Sequence, residues 1–417
     1  MTPEIKQRIG QMRCGEQPEG YKKTKAGILP ADWDVYMLGD CLRRVEKPVE
    51  IKPNELYTQI GIRSHGKGLF YKEPVTGAAL RNKSVFWIEP DCFIVNIVFA
   101  WEQAIGKTTQ SEVGMIGSHR FPMYRPVNDR VDVDYLISYF LTKRGTDILE
   151  SASPGGAGRN KTLGQDRFLK SKIVLPPIEE QQKIAAILTT QEKVIELKEK
   201  RLAEKQRQKK YLMQQLLTGK KRLPGFSGEW TFPKAKEIFQ SVSDKDHNGD
   251  LAVLSSTQDR GIVPRNEVDI DIKYDACSLV NYKKVTKGNF VISLRSFQGG
   301  IEYSTYTGLV SPAYTVLASR QEISAEYYKQ FFKSVDYINR LNVAVYGIRD
   351  GKQISYGDFG RLRIPYPPIK EQIAIAEVLT AADREIDLLR QEIEQEKQKK
   401  KALMQLLLTG IVRVKEA

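Results

Sequence analysis

Three histidines and four cysteines are all that 417 residues offer of the side chains that most often ligate metals or attack substrates. Cys14, Cys41, Cys92 and Cys277 lie far apart and form no CxxC pair, so neither a zinc site nor a disulfide framework is indicated and ordinary reduced thiols are expected. His65, His119 and His247 are equally isolated. No metal cluster or His-based nucleophile follows from them. No stretch approaches the roughly 18 uninterrupted apolar residues of a membrane span, and the opening MTPEIKQRIGQMRC lacks an apolar signal core. A cytoplasmic protein with no membrane partner is expected. The letters GKTT at 106–109 suggest a phosphate loop, but GxxxxGK[ST] needs a glycine where Trp101 stands. A GxGxxG loop is missing too, as is the Asn-Pro-Pro-aromatic signature with which amino-methyltransferases hold a flipped base. Such a chain is expected to bind without catalysing, and to carry no cofactor of its own.

What is present in excess is positive charge. Lys and Arg number 65 against 51 Asp and Glu, a formal charge of +14. That makes a polyanion the first guess for a partner, because clustered cations gain affinity by releasing phosphate counterions. The apolar fraction of 41% suits globular domains, and the length allows two or three.

Residues 212–219 read LMQQLLTG and residues 403–410 read LMQLLLTG. The likeness runs further: Pro176 to Leu223 and Pro367 to Val414 align without a gap at a constant shift of 191 residues, sharing roughly 21 of 48 positions. Each copy has Pro177 or Pro368 where a helix can start and Gly219 or Gly410 where one can stop, with neither residue type between. Leu188, Ile195, Leu202, Lys209 and Leu216 fall seven apart, as do Leu379, Ile386, Ile393, Lys400 and Leu407. This spacing predicts two long helices, each with one edge of a coiled-coil seam. A parallel, in-register pair would set Lys209 against Lys400, whereas an antiparallel pair brings each lysine near an isoleucine, Ile386 or Ile195, where its stem can pack. Antiparallel pairing is therefore expected, with the two variable segments at opposite ends of a rod no longer than roughly 58 Å, about 17 base pairs of B-DNA.

The segments outside the repeats share a layout. Each opens on Leu-Pro and a nearby tryptophan, Trp33 or Trp230, then carries short β-type runs, glycine turns and a helical patch, VDYLISYFLTKRG or AEYYKQFFKSVDYINRL. Mixed α/β domains are expected. The organisation is an extension at 1–20, mixed α/β domains at 21–175 and 223–366, and helical regions at 176–222 and 367–417. Both domains end on a Gly, Arg and Lys loop, with Arg159, Asn160 and Lys161 in the first and Arg349 and Lys352 in the second. Glycine lets backbone approach a phosphate, while Arg, Asn and Gln can read base edges. A second recurring block adds Lys107, Ser118, His119 and Arg120 in one domain and Arg295, Ser296, Gln298 and Ser311 in the other. Fewer than half of these are expected to touch DNA.

Two variable domains, each followed by a PPxxEQxxIAxxL helix that closes in LLTG, resemble the specificity subunits of type I restriction-modification systems across nearly the whole chain. The blocks FAWEQAIG, SHRFPMYR, SLRSFQGGIEYS and VSPAY are similar to features of that family. The resemblance implies an α+β fold: two mixed α/β target recognition domains joined by two long helices that pair as an antiparallel coiled coil. It implies that each domain reads half of a split, asymmetric double-stranded DNA sequence and that the coil fixes the spacer. The partners implied are two modification subunits, which methylate adenine, and restriction subunits that cut and translocate. Equivalent docking sites for two copies of one partner are expected at the coil ends, at Pro177, Glu180, Gln181 and Leu217 and their mates Pro368, Glu371, Gln372 and Leu408.

Overall fold

The computed structural model describes residues 3–24, 27–81, 83–155, 161–268, 276–294, 296, 300–344 and 354–414. The chain divides into two compact units. One comprises Met1–Lys198 with Glu392–Ala417, the other Glu199–Gln391. Each unit holds a mixed α/β domain together with a stretch of both long helices.

Those helices span Ile178–Leu216 and Ile369–Leu407, 39 residues each. Both stop at a glycine with φ +71°, Gly219 and Gly410, the left-handed geometry that glycine adopts without a Cβ clash. Within the first unit Gln191 donates to Glu396 Oε2 at 2.7 Å, Lys198 meets Glu392 at 2.9 Å, and Lys400 pairs with Glu192. Within the second, Lys205 meets Glu385 at 2.8 Å and Lys209 pairs with Asp383. In both sets the two residue numbers of a pair sum to roughly the same value, near 590, so the pairing is antiparallel. The two seam lysines end on equivalent acids, since Glu192 and Asp383 are themselves 191 residues apart. Of the seam positions, Leu188, Ile195, Leu216, Leu379, Ile386, Ile393 and Leu407 are buried, while Leu202 is half-buried.

The two domains share one sheet plan. In the first unit a four-stranded antiparallel sheet runs in the order Leu42–Val45, Met123–Pro126, Phe93–Val95, Ile105–Lys107. In the second the order is Phe239–Val242, Thr315–Ser319, Phe290–Ile292, Glu302–Tyr303. Behind each sheet lies an aromatic core: Phe93, Phe140 and Phe168 in one, Phe239, Phe290, Tyr328, Phe332 and Phe359 in the other. Large rings that bury their faces against one another contribute area and oriented contacts together.

Each helical patch is two helices, Val133–Phe140 then Lys143–Ser151, and Ala325–Phe332 then Val335–Ala344. The break is chemical in origin. The Thr142 hydroxyl accepts the Gly145 N–H at 3.2 Å and the Ser334 hydroxyl accepts the Tyr337 N–H at 3.3 Å, so each starts a new helix as its N-cap. Among the described residues no helix is long and apolar enough to cross a membrane.

Candidate nucleic-acid interface

The start of each long helix carries a buried glutamate, and both are held in the same way. In the first unit Glu180 accepts from Arg413 Nε at 2.9 Å, from Arg413 Nη2 at 2.8 Å, from the Trp33 indole at 3.2 Å and from the Val414 N–H at 3.1 Å. Arg413 also reaches Asp32 at 2.7 Å and lies over the Trp33 ring. In the second unit Glu371 accepts from Arg222 Nε at 2.5 Å and Nη2 at 2.6 Å and from the Trp230 indole at 2.9 Å, with Arg222 over the Trp230 ring. The fork of a guanidinium matches the two carboxylate oxygens, which makes these pairs both strong and directional. Burial pushes the Glu180 carboxyl upward, but the hydrogen bonds from Arg413, Val414 and Trp33 prevail and hold it below the usual carboxylate range. The Glu371 hydrogen bond holds Arg222 above its ordinary value.

These clasps give the helix-start residues an inward role. Gln181 donates to the Arg130 and Pro176 carbonyls at 2.8 and 2.9 Å and accepts the Asp132 N–H at 3.0 Å, while Gln372 accepts from Ser324 N–H at 2.9 Å and donates to the Pro367 carbonyl at 2.8 Å. Glu180, Gln181, Glu371, Gln372, Leu217 and Leu408 are all buried. Pro177 and Pro368 remain exposed at these two helix starts. Neither Arg222 nor Arg413 stood out in the sequence, although both lie inside the repeat at the shift of 191. That coincidence of an arginine with a glutamate at the same shift was the available signal.

The residues expected to face DNA separate into four groups. Ser118, His119 and Arg120 line one cavity of about 730 Å³ in the first unit, together with Lys72, Lys83 and Asn96. Among the described residues no carboxylate lines it. Lys107 and Lys161 lie outside that cavity. Lys107 pairs with Asp134 at 2.7 Å, and although burial works against its charge, that hydrogen bond holds its pKa above the ordinary value. Lys161 sits over the Trp101 ring at 5.3 Å. In the second unit Ser311 is half-buried and its hydroxyl accepts the Ala313 N–H at 3.3 Å, as the Ser118 hydroxyl accepts the Arg120 N–H at 3.3 Å in the first. Ser296 is 1% exposed and its hydroxyl accepts the Ser293 N–H at 2.7 Å, which places it inside the domain. Arg159, Asn160, Arg295, Gln298, Arg349 and Lys352 lie outside the described residues. Lys72, Lys83 and Asn96 were missed in the sequence because they come from separate strands and loops that only folding brings together.

Comparison with known proteins agrees with this doubled architecture. The family model described as type I restriction modification DNA specificity domain matches twice, at residues 30–207 and 227–398. The type I restriction enzyme MjaVIII specificity subunit of Methanocaldococcus jannaschii is 25% identical over 95% of this chain and 97% of its own. Among solved structures, the HsdS subunit from Thermoanaerobacter tengcongensis aligns over 92% of this chain and 98% of its own, at 18% identity and a TM-score of 0.50. A structure described as the basis of complex assembly and conformational transition of the type I R-M system aligns over 92% and 99%, at 18% identity and a TM-score of 0.57.

Proposed function

The chain belongs to the type I restriction-modification DNA specificity family and is the sequence-specificity subunit of such a system, and from that premise we propose how its parts divide the work. The domain at 21–175 reads one half of an asymmetric double-stranded DNA target and the domain at 223–366 reads the other. The helical regions at 176–222 and 367–417 set the gap between the halves and carry two modification subunits, to which restriction subunits add. The chain itself performs no chemistry and works in the cytoplasm. Ser118, His119, Arg120, Lys161 and Ser311 are the DNA-facing candidates among the described residues. At the helix starts Pro177 and Pro368 are the surfaces left for the modification subunits.

The observation that carries this reading is the doubling. One sheet order and one Glu–Arg–Trp clasp occur in each unit, with glutamates and arginines at a single spacing of 191 residues. Two similar readers with equivalent helix starts suit two half-sites and two copies of one partner. To test it, the chain is co-expressed with its modification subunit and N6-methyladenine is mapped by single-molecule sequencing. A two-part motif with a fixed gap, lost on deletion of this chain, is expected. A stable, active complex that methylates with no motif would overturn the reading.

A further inference from the structure

We propose that the cavity bounded by Asn96, Lys72, Lys83, Ser118 and Arg120 in the first unit is a seat for a DNA backbone phosphate, one that fixes the register of the first half-site without reading a base. The proposal rests on the DNA-specificity reading above and names the contact that this domain makes.

The floor of the cavity includes a neutral donor, the Asn96 amide. Asn96 is 9% exposed, and its Oδ1 accepts the Val98 N–H at 3.1 Å. That bond fixes which end of the amide is oxygen, so the end left over is the NH2 group, which can only donate. Among the described residues Nδ2 has no partner. That NH2 group borders the open cavity, where it is free to donate to a ligand oxygen. The walls match the floor. Lys72, Lys83 and Arg120 are exposed cations, none of them paired with a carboxylate among the described residues, and the Ser118 hydroxyl still has its proton to give. Three cations and two neutral donors converge on this cavity, and no acidic side chain lines it among the described residues; the rest of its wall is mostly apolar, so the charge that it attracts is an anion's.

The mouth is also built in advance. The His119 N–H donates to the Ser84 carbonyl at 3.1 Å, the Ile97 N–H to the Arg120 carbonyl at 3.0 Å, and the Phe121 N–H to the Ser118 carbonyl at 2.8 Å. The Lys72 N–H is tied to the Gln59 carbonyl at 2.9 Å. Fixed backbone at this point means that little ordering remains to be done when DNA arrives. Neutral and charged donors together on one phosphate position a protein on the duplex without carrying sequence information.

The test uses the full complex of this chain with its modification subunit. Lys72→Ala and Lys83→Ala alter exposed side chains, and Asn96→Asp keeps the oxygen that holds Val98 while turning the free donor into an acceptor. Each lysine variant is expected to lower the log–log salt slope of duplex binding by about 1. Asn96→Asp is expected to weaken binding at least tenfold on target and unrelated duplex alike, with the methylation motif of all three variants unchanged. A single methylphosphonate scanned along the target should cost affinity at one site in the first half-site, and that cost should shrink in the Lys72→Ala, Lys83→Ala double variant. An unchanged salt slope overturns the proposal, and so does a variant whose motif changes at one base. If Asn96→Asp abolishes the complex altogether, the lysine slopes decide. A wild-type complex that methylates without any motif would instead remove the specificity reading itself, so the two failures are distinguishable.

Discussion

Replacing Arg413 with alanine is the sharpest probe of how the first unit is closed. The change leaves Glu180, whose side chain is 6% exposed, facing the interior with only the Trp33 indole and the Val414 N–H, and it strips Asp32 of its 2.7 Å contact. Breaking a buried pair by removing one partner costs about 3–5 kcal/mol, because the remaining charge stays desolvated. With Arg413 itself 13% exposed, the low end of that range, about 3 kcal/mol, applies. For a unit of this size that corresponds to a fall of about 6–12 °C in Tm. Calorimetry, with hydrogen exchange across residues 27–45 and 403–414 to assign the transition to the first unit, reads it directly. The Glu180 carboxyl is held below its ordinary pKa in the folded chain. Its contribution is therefore present above the unfolded value of about 4.3 and is lost as pH falls through the folded one. The Arg413→Ala deficit should accordingly be full at pH 7 and shrink on acidification below about pH 4. Glu180→Gln combined with Arg413→Met, which removes both charges, should recover most of the loss. A shift under about 2 °C at pH 7, or an equal deficit at pH 3, would show that the Arg413–Glu180 pair does not hold the first unit closed.

Other substitutions sort by burial and backbone. Gly410→Ala should destabilise more than Gly219→Ala in thermal melts: both have φ +71°, but a Cβ at 410 would stand 2.5 Å from the Pro30 ring, whereas one at 219 meets the Trp230 ring at 3.1 Å. The shared left-handed backbone alone costs about 1–2 kcal/mol. Leu379→Ala in the seam should lower stability by about 3 kcal/mol in denaturant unfolding, while Lys198→Ala, whose partner Glu392 is 51% exposed, should stay within about 0.5 kcal/mol. Inserting a few residues near Leu202 should lengthen the gap in the methylation motif or abolish assembly, and an unaltered gap with full activity would show that the helices do not set it. Exchanging residues 21–175 for another recognition domain should change one half of the motif alone.

Much of the architecture was legible in the letters. A repeat without a gap, free of glycine and proline between its ends, specifies two long helices of equal length, because helix is the local structure that such a run of good formers adopts. The seven-residue spacing gave the seam, and the position of Lys209 and Lys400 gave its direction, since like charges would otherwise meet. The family likeness lay in the same residues. The split of each helical patch was harder to see: Thr142 and Ser334 read as ordinary polar residues until their hydroxyls are found on the next turn's amides.

What is local and periodic was thus already written in the letters: the helices, their pairing, and a doubled plan of reader and coil. Which polar side chains face inward and which face solvent was settled by long-range packing alone. Glu180, Gln181, Glu371 and Gln372 looked like surface candidates for a partner, yet each is buried on partners distant in the chain, Arg413 standing 233 residues from Glu180. Asn96, Lys72 and Arg120 carried no common motif, yet they border one cavity. A charged or polar letter has no fixed direction until the chain closes around it, because burial is tolerated wherever a hydrogen-bonding partner arrives to offset desolvation, and that arrival is a long-range event.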